Sequence, residues 1–247
     1  MGKYKLPLLL ILAVFLFSSC HSITRSRKEL GIQPSRVYFS FDDGPVAHND
    51  TTARLLDVLE KYQIRSSFCL LGENSEREPD LVRRIHDEGH LIINHGYADK
   101  WAHKMKRDEF RNNIVRGEEA ISEALDFDID LKFYRPHGGF YYSRQEKIIV
   151  DEGYTIAPVT VRVYDAVGTA ASRDKIKRKI IKKLEKQGGG IVLLHDGRGS
   201  YSGQKAELEK NPEGAFNRSW IPETVEEIII ILLDRGFILN RPDNFTL

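Results

Sequence analysis

The chain has 247 residues, of which 41% are hydrophobic and 30% charged, and its formal net charge is +1. That length suits one large α/β domain or two small ones, and the composition is that of an ordinary globular domain. The balanced charge gives no electrostatic argument for a nucleic-acid or membrane partner, and two cysteines argue against a disulfide framework or a cysteine zinc site.

Lys3 and Lys5 precede an apolar run from Leu6 to Phe17, followed by Ser18, Ser19 and Cys20. A basic start, a short apolar core and small residues before a cut are the layout of a signal peptide. The run is short for a membrane-spanning helix. A Cys at the cut resembles a lipoprotein signal, although Phe17 stands where Leu is usual. Residues 1–20 are therefore read as a lipoprotein-type signal, with membrane attachment through a lipidated Cys20 and a place in the bacterial cell envelope; simple secretion or an uncleaved anchor is the alternative. Residues 21–35 are polar and basic and read as a tether, and residues 36–247 as one domain.

Val37 to Phe41 is a β-branched and aromatic run that reads as a strand, and Asp42-Asp43-Gly44-Pro45 ends it in a turn. A helix is expected over Asp50 to Tyr62, from Leu55, Leu56 and Leu59 at helical spacing. Further strands are expected at 67–71, 91–93, 131–134, 154–163, 191–194 and 236–239. Helices are expected from Pro79 to Gly89 and over about 106–125, 143–152, 172–187 and 222–235, with a polar loop around Gly203 and Pro212. Cys69 lies in an apolar run and reads as a small core residue. Ser172 to Gln187 holds eight Lys or Arg and an apolar stripe of Ile176, Ile180, Ile181 and Leu184. It reads as a packed helix with a solvated outer face. Seven strands alternating with helices predict a parallel sheet in a single domain. Periodicity does not say whether the sheet closes.

Chemically capable residues follow one expected strand after another: Asp42 and Asp43, His95, Arg135, Asp165 and His195. In parallel α/β folds the C-terminal strand ends converge on one face, where sites form. Asp43 and His95 suit a divalent metal. Asp99 lies four residues after His95 and shares its face if that segment is helical. His103 would lie about 12 Å along such a helix and is the weaker candidate. Asp42 is a candidate general base held ionised by Arg135. His195 is a candidate general acid oriented by Asp165. Tyr97, Trp101, Tyr141 and Tyr142 are candidate sugar-stacking residues.

These motifs resemble the polysaccharide deacetylases of carbohydrate esterase family 4, the NodB homology domain. Ser40 to Pro45 matches the family's first motif, and Gly89-His90 with Asn94-His95 the start of the second. Arg135-Pro136-His137-Gly138-Gly139 resembles the third motif. Asp165 stands at the Asp of the fourth motif, and Leu193-Leu194-His195-Asp196 matches the fifth. The resemblance implies a distorted (β/α) barrel and one divalent ion, zinc first, with cobalt, nickel or manganese as alternatives. It implies Asp42 as base, Asp43 and His95 as ligands and His195 as acid. It also implies that Pro136, Gly138 and Leu193 line the groove, with a Gly138 backbone donor for an oxyanion. The implied reaction removes N-acetyl groups from amino-sugar polymers such as peptidoglycan or chitin-like oligomers. Three positions depart from the pattern. Asp99 stands where the second motif has another His, Gly96 where Ser or Thr is usual, and Ala166 where a Trp follows the fourth-motif Asp. A catalytically weak glycan-binding relative, or an esterase or amidase on other acyl substrates, is the alternative. There is no Walker loop, dinucleotide fingerprint or Gly-x-Ser-x-Gly elbow in the sequence.

Overall fold

The computed structural model describes residues 20–239. The signal reading for 1–19 lies outside the described residues. In chain order the strands are β1 (Cys20–Ser22), β2 (Arg36–Gly44), β3 (Ser67–Leu70), β4 (Leu91–Asn94), β5 (Phe133–Tyr134), β6 (Phe140–Tyr142), β7 (Thr155–Ile156), β8 (Gly190–His195) and β9 (Ile238–Leu239). The helices are α1 (Thr51–Lys61), α2 (Gly72–Arg77), α3 (Pro79–Asp87), α4 (Arg107–Leu125), α5 (Ser143–Asp151), α6 (Arg173–Gln187), α7 (Tyr201–Lys210) and α8 (Ile221–Asp234).

Seven strands form one parallel sheet in the order β7-β5-β4-β3-β2-β8, with β9 pairing the start of β2. The stretch expected as one strand over 154–163 touches both ends of this order. Thr155 and Ile156 pair with β5, and Val161 bridges to Val192 of β8. The curled sheet is thereby drawn toward a barrel, the fold that the resemblance implies.

The two-residue period of a strand divides β2 between two environments. Val37, Phe39 and Phe41 face the large core under the helices, where Leu55, Leu56 and Leu59 of α1 are fully buried. Burying each such side chain contributes about 1.5–3 kcal/mol. Ser40 and Asp42 face inward. In β8, Val192 and Leu194 join the outer core, while Ile191 and Leu193 pack inside with Ile23, Tyr141 and Val159. The inward face therefore carries the polar ends of the strands on a small apolar floor.

Three local expectations change. Residues 21–35 are not a free tether over their whole length. Cys20 to Ser22 pair antiparallel with β6, and Ile23 is buried. The polar stretch around Gly203 is helix α7, and residues 72–77 form the short helix α2. Helix α6 buries its four apolar residues, as its stripe predicts. Cys69 is fully buried and unpaired, and burial pushes its thiol well up.

Candidate metal and active site

Two consecutive strand residues normally point to opposite faces. Asp42 and Asp43 escape this because β2 bulges there. Asp42 is opposite Cys69 and Gly44 opposite Leu70, so Asp43 is the extra residue. Its φ of 71° lies in the left-handed region, which Asp tolerates better than most residues. Both carboxylates thus line one cavity of about 360 Å³.

Asp42 is 3% exposed, and its Oδ1 accepts from Arg135 Nη1, which also donates to Ser40 Oγ at 2.8 Å. Burial pushes the Asp42 carboxyl up, but Arg135, then His95 and His195, hold it below its ordinary value. Asp42 is opposite His195 across β2 and β8. His195 Nδ1 donates to Asp165 Oδ1 at 3.0 Å, and the His195 amide donates to Asp165 Oδ2 at 2.8 Å. A carboxylate only accepts, so Nδ1 carries the proton in the neutral ring and Nε2 is left free. Burial favours the neutral ring. The Asp165 charge and hydrogen bond outweigh it, with help from Asp43 and Asp42, and push His195 up to about 9.

Asp165 has a second partner that the sequence reading missed. Arg218, 1% exposed, donates from Nη2 to Asp165 Oδ2 at 2.7 Å and from Nε to the His195 carbonyl at 3.1 Å. It sits in the polar segment between α7 and α8, where nothing in the sequence distinguishes it from other surface arginines.

Beside Asp42 is a cluster of donors. Asp43 Oδ2 accepts from the Gly199 amide at 3.3 Å, while Asp43 Oδ1 is buried without a hydrogen bond. His95 Nδ1 donates to the Arg135 carbonyl at 2.7 Å, which leaves Nε2 as the lone-pair nitrogen, 3.3 Å from Asp43 Oδ1. His137 Nδ1 lies 3.7 Å from the same oxygen and is also buried without a hydrogen bond. Asp43, His95 and His137 can each offer one atom within 4.8 Å of the others'. Burial works against a charged His137, yet Asp43 and then Asp99 raise its pKa. A buried oxygen without a hydrogen bond, two imidazole nitrogens and a demand for positive charge together fit a divalent cation.

Asp99 is not in this convergent group. Its Oδ1 accepts from His137 Nε2. The expected helical relation to His95 fails because residues 95–100 are not helical. Gly96 has φ 85°, its amide donates to Asn94 Oδ1, and the Ala98 amide donates to Asn113 Oδ1. Those side chains take the amides that a helix would use. His137 was visible in the third motif but carried no assigned role.

The cavity is also lined by Leu193, Gly138, Trp101, Tyr164 and Ala166. The Gly138 amide has no acceptor among the described residues, and its carbonyl accepts from Arg162. Trp101 is 47% exposed, and its ring lies against Gly138. It supplies apolar wall on a cavity where Ala166 supplies little. Pro136 precedes the His137 turn without lining the cavity. Three aromatic candidates stand elsewhere. Tyr97 is held by Glu76 and stacked under Arg116, and Tyr141 is buried against Ile23. Tyr142 does not line the cavity either, whereas Phe140 and Tyr164 do.

A family profile described as polysaccharide deacetylase matches residues 32–157. The chain belongs to the polysaccharide deacetylase family. A peptidoglycan-N-acetylglucosamine deacetylase of Bacillus cereus is 32% identical over 167 residues, which are 68% of this chain and 58% of that protein. The chain therefore spans little more than half the length of that relative. A chitooligosaccharide deacetylase of Rhizobium leguminosarum bv. trifolii is 28% identical over 68% of this chain and 75% of its own length. Among solved structures, a peptidoglycan N-acetylglucosamine deacetylase in complex with 4-naphthalen-1-yl-N-oxidanyl-benzamide superposes with a TM-score of 0.68. It is 28% identical, and the match covers 85% of this chain and 86% of that one. A family 4 pseudoenzyme from Bacillus anthracis shares the fold at 17% identity, with a TM-score of 0.60 over 85% of this chain and 64% of its own.

Proposed function

We propose that this family member is a metal-dependent hydrolase that removes N-acetyl groups from an amino-sugar glycan. One observation carries the reading. A buried carboxylate held ionised and a half-buried imidazole held protonated share one cavity with three converging metal donors. A fold alone does not require that combination, since a binder has no use for an acid and a base.

A divalent ion, zinc first, held by Asp43 and His95 with a third donor from the same cluster, would polarise an acyl carbonyl and make water there more acidic. The chain's own residues supply the proton transfers. Arg135 occupies Asp42 Oδ1, so Oδ2 is the oxygen free to take a proton from the attacking water. His195 is anchored through Nδ1 and presents Nε2, whose proton goes to the departing amine. The free Gly138 amide offers a donor to the oxyanion that develops on the acyl oxygen. Trp101, Tyr164 and Phe140 give the mouth apolar faces suited to sugar rings.

The relatives' names favour peptidoglycan or chitooligosaccharides as the substrate class. We extend the proposal to location. The basic and apolar start and Cys20 support a lipid anchor in a bacterial envelope. Among the described residues no helix is long and apolar enough to cross a membrane. Cleavage before Cys20 would place the anchor on strand β1, whose partner β6 carries Phe140 at the cavity mouth. Loss of acyl label in a Cys20→Ser variant checks this.

The functional test is acetate release from N-acetylglucosamine oligomers and from peptidoglycan. Release is expected to stop with chelator, return with zinc, and fall by at least about 100-fold in His195→Ala. Full activity in His195→Ala, or in chelated protein, refutes the mechanism.

A further inference from the structure

We infer that the third protein ligand of the metal centre is His137, and that Asp99 is the carboxylate that positions it. The inference rests on the metal-dependent reading above and deepens it. In the family pattern the second motif supplies two ligands four residues apart. Here the second of those positions is Asp99, and an imidazole has entered the cluster from the third motif instead.

Hydrogen-bond logic separates the two candidates. Asp99 Oδ1 is engaged by His137 Nε2, so that nitrogen carries a proton and Nδ1 is the lone-pair atom. Nδ1 is the nitrogen that faces Asp43 Oδ1, and both atoms are buried without a hydrogen bond. His95 and His137 stack obliquely with centroids 4.8 Å apart, so their two free nitrogens approach the same point from neighbouring rings. The side chains of His95 and Asp43 are 2% and 5% exposed, that of His137 is 11%, and that of Asp99 is 30%. Asp99 is thus outside the ring of donors, behind His137.

A glycine makes room for this arrangement. A Cβ at Gly199 would lie 2.8 Å from Asp99 Oδ2, and Gly199 has φ 71°. The amide of the same glycine donates to Asp43 Oδ2. One backbone position therefore sets the orientation of a ligand and admits the carboxylate behind another. A carboxylate on the far nitrogen of a ligating His is a common way to fix its tautomer and raise its basicity, and losing it typically costs 10- to 100-fold in affinity.

The assignment changes the character of the centre. Two imidazoles and one carboxylate form the donor set of a zinc-type site, whereas Asp43, His95 and Asp99 would bring two carboxylates and favour a harder ion.

X-ray absorption on the zinc-loaded chain, together with zinc titration of the metal-free chain, tests the assignment without reference to activity. Two imidazoles per zinc are expected in the wild type. His137→Ala is expected to leave one and to weaken binding by at least about 100-fold. Asp99→Ala is expected to keep two imidazoles with affinity 10- to 100-fold lower. Asp99→Asn, which still offers a carbonyl oxygen to Nε2–H, should fall between Asp99→Ala and the wild type. Wild-type affinity in His137→Ala, or one imidazole in the wild type, overturns the assignment. So does loss of binding in Asp99→Ala as complete as in Asp43→Ala. Asp99 is partly exposed, so its variants still decide the matter if His137→Ala does not fold. A wild-type chain that binds no stoichiometric divalent ion sinks the metal reading itself, which is a separate result.

Discussion

Replacing Arg135 with Met should shift Asp42, the proposed base, from an ionised carboxylate toward a neutral acid. Arg135 is 1% exposed and joins Asp42, Ser40 and the Ala157 carbonyl. Burial is the largest influence on Asp42 and acts upward, and Arg135 is the largest influence against it. Without the guanidinium only His95 and His195 oppose burial, and the Asp42 pKa rises. General-base catalysis contributes about 10²- to 10⁴-fold, so activity at pH 7 should fall by at least about 100-fold. The loss should shrink as pH rises and Asp42 ionises, until His195 begins to lose its proton. The profile therefore narrows from its acid side. Asp42→Asn should lose as much activity and recover none of it with pH. Stability should change in step. Breaking a buried pair costs about 3–5 kcal/mol where the orphaned carboxylate stays charged. The depressed pKa of Asp42 contributes stability above its unfolded pKa near 3.9, and that contribution is lost as pH falls through the folded value. The gap between wild type and Arg135→Met should thus be largest near pH 7 and close below pH 4. Urea titrations and acetate-release profiles across pH measure both effects. An Arg135→Met variant with wild-type activity and an unmoved acidic limb would refute this account of the base.

Asp165→Asn removes the charge that keeps His195 protonated, so the alkaline limb of the rate profile should move down from about pH 9 while zinc affinity is preserved. An unmoved limb would take the acid role away from His195. Asp196 is fully buried with Oδ1 unpartnered, and burial raises its pKa to about 7 despite the hydrogen bond from Thr52. A raised carboxyl favours folding below its unfolded pKa near 3.9, and that advantage disappears as pH rises through about 7. The displacement is worth roughly 4 kcal/mol at high pH. Metal-free Asp196→Asn should therefore gain in melting temperature over wild type more at pH 8 than at pH 5. A gain independent of pH would show that the carboxyl is not ionising inside the fold.

The strand ends were legible because apolar runs stop at polar turn residues, and the structure adds which face each residue takes. In Phe39-Ser40-Phe41-Asp42 the aromatic positions claim the outer core, so Ser40 and Asp42 must face inward. Arg135, Asp165 and His195 were legible as chemically capable residues following successive expected strands, whose C-terminal ends converge in parallel α/β folds. What escaped depends on contacts between distant segments. The bulge that turns Asp43 to the same side as Asp42 is a slip of register between β2 and β3, invisible in either strand alone. The loop holding Asp99 follows from Asn94 and Asn113 side chains bonding backbone amides, so a helical spacing argument applied the wrong geometry. Helix α7 hides in a polar stretch, and a helix polar over most of its surface carries no stripe to detect. His21 to Ile23 reads as polar tether because the strand at Cys20–Ser22 takes its partner, β6, from about 120 residues away.

Acid–base hydrolysis near neutral pH needs a base that has lost its proton and an acid that keeps one. Free Asp and His supply those states only below the pKa of imidazole, near 6.5. This cavity widens the window from both sides. Arg135 lowers the acidic edge directly, by facing Asp42 with positive charge. The alkaline edge is set by a relay with an opposite first sign. Arg218 beside His195 would by itself disfavour a second cation, but it contacts Asp165 and, after His195 itself, helps keep that carboxylate ionised against burial. The ionised Asp165 then holds His195 protonated up to about 9. Each buried arginine thus acts through one carboxylate: in the proposed mechanism Asp42 takes the proton, and Asp165 positions His195. Arg218→Met should consequently act in the same direction as Asp165→Asn. If it instead raised the alkaline limb, the direct repulsion between Arg218 and His195 would outweigh the relay.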